Sequence, residues 1–598
     1  MYTLTSVGVE PDASGALPII VGVTGHRDLI GDQSHRARLE AAVAEILDRL
    51  ATRCPNTRLI LLSPLAEGAD RLVARVALAK GARLIVPLPM PIEKYLEDFE
   101  DDDSRTAFQE LLNEADHSFV VPAGDSASSP ESAYARVGAV IARECQILIA
   151  LWDGKEGKEG GTGTVVRYKL HGVPRAFDPS RSALDQAECG VVYQIVTPRI
   201  SNPSPKGAFD RIDTYPGTSP ERAKAAKAAC WRIFGCIETF NRTRLKLGPR
   251  LNRERERSKA ELFKAGGSTH VSARVRAYAE MFAVANSLAI HFQKRTKRTI
   301  KLLFVLAFVA FFFFTVSYRR PPGSEAWAGH AYTLALVLPF LPYALGWWHD
   351  IQKHYLDFRA LAEGVRVQLY WCLAGLNQGA ANTYLRLQRT ELEWVRDALR
   401  NWTFACERLP SNDGLADEHA RLGLVRDCWV KQQARFYQKN VFRLRRWLMA
   451  FVAGGWVFVA IGSLWAVLRS WAGFEGVELV PWVVRLVDAD PGLLDGRNRL
   501  LLELGSVLLG LGPVIAGLCF GYAKVIALSE NANRYEQAGI TFNLALQTME
   551  QCLKGGTIDQ DSLEHCREIL LDLGKEALIE NGSWLMLLRD RPLGIPKI

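Results

Sequence analysis

Apolar positions follow two different rhythms along this 598-residue chain. In the first third, short apolar runs alternate with helix-period stripes. Residues 19–23 (IIVGV) read as a strand, and Leu39, Val43, Ile46, Leu47 and Leu50 form the stripe of a helix. Residues 58–62 (RLILL) predict a second strand, followed by a stripe through Leu72, Val73, Val76 and Leu78. Residues 83–86 (RLIV), closed by Pro87, then 119–121 (FVV) and 146–151 (QILIAL) add three more strands, with helical residues 135–143 before the last. Strands alternating with helices predict an α/β, Rossmann-like parallel sheet covered on both faces.

Further on the rhythm changes. Residues 302–318, 331–348, 447–468 and 504–523 are apolar runs of membrane length, since a span needs about 17–20 such residues. The expected architecture is therefore an N-terminal Rossmann-like sheet domain and an all-α membrane region with four transmembrane helices and long cytoplasmic helices. Pro339 and Pro342 leave a buried core helix as the alternative for the second run.

Charge sets an orientation. Lys294, Arg295, Lys297, Arg298 and Lys301 precede the first run, and Arg443, Arg445 and Arg446 precede the third. The loop between the first two runs holds only Arg319 and Arg320. Positively charged flanks stay inside, which predicts a multi-pass protein of the inner (cytoplasmic) membrane with N- and C-termini cytoplasmic. The loop 469–499 counts against this through Arg485 and Arg497, and its VPWVVRLV stretch could lie along the interface. Gly517 and Gly521 allow close helix contact. No carboxylate lies deep in any run, which argues against an ion-coupled transporter.

The net charge of +8 does not point to a nucleic acid polymer as partner, because the basic residues of 242–264 are interleaved with glutamates. Eleven cysteines occur without a CxxC pair, so reduced thiols are expected and no metal site. The first residues lack the pattern of a secretory leader.

Candidate chemistry falls in three polar loops at the carboxyl ends of the predicted strands, where such sheets bind ligands. They contribute Gly25, His26 and Arg27; Ser63, Glu67, Gly68 and Asp70; and Asp153, Gly160, Gly161, Thr162, Gly163, Thr164 and Arg167. Glycines let peptide N–H groups approach an anion, and the start of the next helix adds a favourable dipole. Threonine hydroxyls supply further donors, and Arg27 and Arg167 supply charge for phosphate oxygens. Asp153 either shapes the turn or accepts from ribose hydroxyls.

Taken in order, VGVTGHRDL, SPLAEGADRLVARVAL, VPLPMPIEKYLEDF and ALWDGKEGKEGGTGTVV resemble the SLOG superfamily over roughly residues 15–200. These are Rossmann-like nucleotide-binding domains related to the LOG cytokinin-activating phosphoribohydrolases and to DprA. The resemblance implies a nucleotide-derived ligand, a cyclic oligonucleotide or an ADP-ribose derivative, and no other cofactor. LOG enzymes carry a PGGxGTxxE loop. Here EGGTGTVVR puts Glu159 at its proline, keeps Gly160, Gly161, Gly163 and Thr164, and puts Arg167 at the catalytic glutamate. A cation there attracts phosphate but opposes a developing oxocarbenium ion, so binding is expected and no catalytic residue is assigned.

The two apolar pairs repeat one plan: basic helix, hairpin, long amphipathic helix. Leu356, Leu361, Val365 and Leu369 form one stripe on the first long helix, suited either to packing between protomers or within one chain. This plan resembles the SLATT family, two-transmembrane effectors of prokaryotic conflict systems, over roughly residues 270–598. TRPM-type channels, with SLOG-like sequence before a channel, are a looser parallel. The implied organisation is a SLOG-like domain (1–200), a helical connector (201–296), a first hairpin with its stalk (297–375), a cytoplasmic helical segment (376–440), and a second hairpin with C-terminal helices (441–598). The resemblance implies a homo-oligomeric sensor–effector, in which a nucleotide second messenger bound in the cytoplasm opens or assembles a pore in the lipid bilayer during antiphage defence. Rival expectations are a membrane-anchored nucleotide hydrolase or N-glycosidase of the LOG type, and a constitutive channel or scaffold with a vestigial SLOG fold.

Overall fold

The computed structural model describes residues 15–99, 101–122, 130–156, 160–178, 188–217, 219–264, 271–318, 326–338, 347–384, 392–407, 418–472, 496–553 and 560–589. It divides into two compact units, residues 1–287 with 360–418, and 288–359 with 419–598.

The first unit is built on a seven-stranded sheet. Its strands are β1 (Ile19–Gly25), β2 (Leu59–Leu62), β3 (Arg83–Leu88), β4 (His117–Val120), β5 (Ile147–Trp152), β6 (Val191–Val196) and β7 (Arg211–Thr214). They lie in the order β4-β3-β2-β1-β5-β6-β7. The first six are parallel, and β7 runs antiparallel to β6. The expected Rossmann-like parallel sheet is present. Strands β1 and β5 are continuous apolar runs because both their faces are covered, and their side chains are buried except at the last residue of each.

Helices α1 (Gln33–Arg53), α2 (Ala69–Ala79), α3 (Asp102–Glu114), α4 (Pro130–Glu144) and α5 (Thr162–His171) connect the strands. The side chain of Asp32 caps α1 by accepting from the Ser34 amide, and the expected stripe from Leu39 to Leu50 is its buried face. The strand order reverses between β1 and β5, so the loops leaving these two strands flank a crevice.

Helix α6 (Pro220–Leu262) carries Asn241, whose side-chain amide accepts from Leu17 N at 2.9 Å and donates to Leu17 O at 2.9 Å and Thr57 Oγ1 at 3.0 Å. Glu238 accepts from Asn56 N at 3.0 Å and Thr57 Oγ1 at 2.8 Å. These bonds tie α6 to the segments that lead into β1 and β2.

The long helices are α7 (Ala273–Tyr318), α8 (Ala326–Val337), α9 (Trp347–Leu373), α10 (Glu393–Cys406), α11 (Glu418–Val425), α12 (Lys431–Ala472), α13 (Gly496–Val525), α14 (Leu528–Cys552) and α15 (Gln560–Arg589). A π-helical turn, Arg426–Val430, joins α11 to α12. Among the described residues three helices are long and apolar enough to cross a membrane, and they contain residues 273–315, 418–464 and 511–552. The expectation of four spans is thereby corrected. Among the described residues the second run contributes α8 and the first residues of α9, and α8 at 12 residues rises about 18 Å against the roughly 30 Å of a bilayer core. Residues 339–346 of that run, Pro339 and Pro342 included, lie outside the described residues, as do 473–495 with VPWVVRLV.

In the second unit α12 and α13 pack closely through small residues. A side chain at Gly455 would meet the Phe520 ring at 2.7 Å, and one at Gly512 would meet Phe458 O at 3.0 Å. Leu356, Leu361, Val365 and Leu369 are all buried.

Candidate functional site

The carboxyl ends of β1, β5 and β6 are locked together by one carboxylate. Asp153 follows β5, and its side chain has no exposed surface. Its Oδ1 lies 3.0 Å from His26 Nε2 and accepts from Lys155 N at 3.1 Å. Its Oδ2 accepts from Arg199 Nε at 3.0 Å and Asn202 Nδ2 at 2.9 Å. Burial opposes the charge, but the bonds from Asn202, the Lys155 amide, Arg199 and His26 outweigh it and hold the carboxyl far below its usual range. Burial lowers the pKa of His26 against the pull of Asp153, and the same Nε2 also lies 3.2 Å from the Asp153 amide. With Lys155, Arg199 and Asn202 donating to its two oxygens and His26 beside them, Asp153 is a structural hub that shapes the turn.

The same loops make further ties. Asp28 accepts from Ser201 Oγ at 2.7 Å, and its backbone carbonyl accepts from Ile200 N at 2.9 Å. Arg199 and Asn202 escaped the sequence reading because β6 did. The apolar run VVYQIV before them is the signal that could have found both.

Beyond Asp153 the chain turns into α5. Gly160 takes a φ of +81°, a left-handed conformation that glycine adopts at no cost, and Gly161 is the residue before the helix, with no side-chain cap. The amides of Thr164 and Val165 are spent on Gly161 O, at 3.0 and 3.2 Å. Among the described residues, no acceptor meets the amides of Thr162 and Gly163. The two point out of the positive end of α5, as an anion site requires. Thr164 is buried, so its hydroxyl is not offered. Arg167 is half-exposed and 3.7 Å from the exposed Glu156, a pair too solvated to hold it back from an anion. Gly163 faces Trp152, whose indole Nε1 donates to Lys155 O at 2.8 Å and braces the loop. Glu159 lies outside the described residues.

The loop after β2 meets the turn after β1. Gly68, at φ +74°, lies so close that a Cβ would stand 2.4 Å from Arg27 O and 2.6 Å from His26 O. A Cβ on Gly25 would stand 2.2 Å from that of Ala69. Both glycines are demanded by this approach. Ser63 is fully buried and spent internally, accepting from Leu65 N at 3.2 Å and donating to Asp70 O at 3.3 Å. Leu65 itself is left-handed at φ 58°, and Arg71 Nε donates to its carbonyl at 3.0 Å. Glu67 is bonded to Ser104 Oγ.

Asp70 differs from the rest. It is buried, its Oδ1 has no hydrogen-bond partner among the described residues, and burial raises its carboxyl to about 7 against the opposing influence of Arg27, the Ala66 amide and Arg71. The Arg27 guanidinium lies 5.1 Å from the ring centre of Tyr134, whose buried hydroxyl also has no partner among the described residues. Tyr95 completes this corner by donating to Pro64 O at 3.3 Å. Neither tyrosine stands out in the sequence, since each reads as one more aromatic on a helix.

The predicted residues thus divide. Gly160, Gly161, Thr162, Gly163 and Arg167 lie together at the start of α5; Arg27 and Asp70 form a second polar corner beside β1; His26, Asp153, Ser63, Gly25 and Gly68 are the scaffold between them. No group of His, Cys, Asp or Glu able to hold a metal occurs among the described residues. No protein-family model matches the chain, and no curated protein matches it.

Proposed function

We propose that the chain is a nucleotide-signal sensor coupled to a membrane effector, in which a phosphate-bearing nucleotide bound at the carboxyl edge of the sheet alters the membrane helices so that they open or assemble a pore. The observation that carries this reading is the pair of amides, Thr162 and Gly163, that meet no acceptor among the described residues, at the start of α5 beside the point where the strand order reverses. Arg167 and Arg27 supply the charge, and the polar corner at Asp70 offers a donor or acceptor for a base or sugar. The effector half is supported by the three long helices and by their exposed apolar side chains, among them Phe314, Trp456, Ile461 and Leu464. Each such side chain kept from water is worth about 1.5–3 kcal/mol, which a bilayer supplies and water does not. The role in prokaryotic conflict defence, the homo-oligomeric state and the ligand class, a cyclic oligonucleotide or an ADP-ribose derivative, follow the SLOG and SLATT resemblance.

For coupling to work, the nucleotide must bind the open arrangement more tightly than the closed one. The test is calorimetry of the detergent-purified chain against a nucleotide panel, with dye release from vesicles containing it. Heat and release with the same nucleotide, both lost in Gly161→Val, are the expected result; release without heat, or heat unchanged in the variant, overturns it.

One observation favours a second reading, a nucleotide N-glycosidase. A buried carboxyl poised near pH 7 is suited to protonate a leaving base, and Asp70 is such a group. Release of free base from nucleoside monophosphates, abolished in Asp70→Asn, would establish it.

A further inference from the structure

The three long helices meet at one level, where the apolar stretches of α7 and α12 begin and that of α13 ends. The ring of Tyr522 on α13 lies 5.3 Å from Phe304 on α7 and 5.2 Å from Phe451 on α12. Gly521 makes room for Phe304, whose ring would stand 3.5 Å from a Cβ there. Helices α7 and α12 enter their apolar stretches at this level and α13 leaves its own there, so the cations of all three lie on the same side. At 1.5 Å per residue, Lys301 and Lys297 lie about 4.5 and 10 Å before Phe304, Arg443 about 12 Å before Phe451, and Lys524 about 3 Å beyond Tyr522. The ammonium of Lys297 has the charges of Arg443 and Lys301 as neighbours.

Residues 291–304, 435–451 and 515–525 contain no Asp or Glu. Arg445 is answered from α14 by Glu536 at 2.6 Å. Among the described residues no carboxylate answers Lys297, Lys301 or Arg443, and all three are exposed. Directly beside them the surface is apolar: Phe442 is 69 % exposed, Trp447 55 %, Leu302 53 % and Val305 55 %.

Like charges held together without a counter-charge, next to bare apolar surface, call for one partner that is anionic at one end and apolar at the other. We infer that Lys297, Lys301 and Arg443 bind the headgroup of an anionic phospholipid whose acyl chains lie along Leu302, Val305 and Trp447. A free phosphate ion would satisfy the cations but would leave the apolar surface bare. The inference rests on the membrane-crossing reading of α7, α12 and α13, and not on what the sheet binds.

Full-length protein purified in a neutral detergent is mixed with phosphatidylglycerol, phosphatidylcholine or inorganic phosphate, and retained lipid is read by native mass spectrometry beside the melting temperature. Phosphatidylglycerol is expected to be retained in preference to phosphatidylcholine and to raise the melting temperature, with inorganic phosphate doing neither. Each of Lys297→Gln, Lys301→Gln and Arg443→Gln should cut phosphatidylglycerol retention by about fivefold, and the triple variant by on the order of a hundredfold. Lys575→Gln, which removes an exposed cation paired with Asp572 on α15, should change nothing. Equal retention by wild type and triple variant, or an equal melting shift from inorganic phosphate, overturns the lipid site. A chain that fails to sediment with membranes overturns the membrane reading beneath it, a separate result.

Discussion

Asn401 and Gln146, 255 residues apart, exchange hydrogen bonds: Gln146 Nε2 donates to Asn401 Oδ1 at 2.6 Å, and Asn401 Nδ2 donates back to Gln146 Oε1 at 3.1 Å. Gln146 Oε1 also accepts from Ile20 N at 2.8 Å, and Asn401 donates to Pro18 O at 2.8 Å. Helix α10, far along the chain, is thus sewn to the amino ends of β1 and β5. Trp402 of the same helix, also buried, donates to Ala16 O at 3.0 Å.

This pair predicts the cost of losing it. Asn401 is fully buried, so Asn401→Ala strands the Pro18 carbonyl and one side of Gln146 away from water. An unsatisfied buried polar group costs about 1–3 kcal/mol. Chemical denaturation of the purified chain, with circular dichroism as the readout, should show a loss of that size. A loss well below it would mean that α10 is not held in this way.

The neighbouring ion cluster predicts non-additivity. Glu188 accepts from Arg396 Nη2 at 2.8 Å and from Arg400 Nη2 at 2.9 Å. Burial opposes the charge of Arg400, but Glu188 and Asp397 more than restore it. Glu188→Ala leaves two buried guanidiniums short of a counter-charge and should cost about 3–5 kcal/mol. Glu188→Gln with Arg400→Gln should cost less than the sum of the two singles. A double-mutant cycle on unfolding midpoints measures the difference, and strict additivity would rule out the coupling.

Periodicity made most of the sheet legible. The runs that became β1, β2, β3 and β5 are uninterrupted and apolar because they lie between helices, and the stripe from Leu39 to Leu50 is α1 itself. The run RLIV was cut too early at Pro87, since β3 continues through Leu88. The edge strand β7 has four residues, RIDT, all of them exposed or half-exposed, and an edge strand with no buried face leaves no alternation to read. The return of residues 360–418 to the first unit was invisible because it rests on pairs such as Asn401–Gln146, which mark no local pattern. At the site, glycines and threonines announced the helix start. The partners of Asp153 did not appear, since Arg199 and Asn202 reach it from a loop that follows an unread strand.

Two glycines separate backbone strain from crowding. Gly68 and Gly81 have nearly the same left-handed φ, +74° and +77°, but a Cβ at Gly68 would strike the Arg27 and His26 carbonyls while one at Gly81 meets nothing within 4 Å. Gly81→Ala should therefore cost about 1–2 kcal/mol, the penalty of the conformation alone. Gly68→Ala carries that and must also displace the turn after β1. It should cost clearly more and disturb Arg27, whereas equal losses of melting temperature would show that the close approach is absent.

Asp70 gives the pH dependence a sign. Its carboxyl is raised from an ordinary 3.8 to about 7, chiefly by burial, so the folded chain binds this proton more tightly than the unfolded chain does. The stability Asp70 contributes is fully present below about 3.8 and is lost as pH rises through about 7. Asp70→Asn is neutral throughout and lacks this slope. Melting temperatures of wild type and variant should then diverge steadily between those two pH values, with the variant gaining, and run parallel above about 7. The same ionisation places a negative charge beside Arg27, so anion affinity at the polar corner should weaken over this range in wild type and stay flat in the variant. A constant offset between the two melting curves from pH 4 to pH 8 would mean that Asp70 is already ionised in the fold, with a partner for its Oδ1.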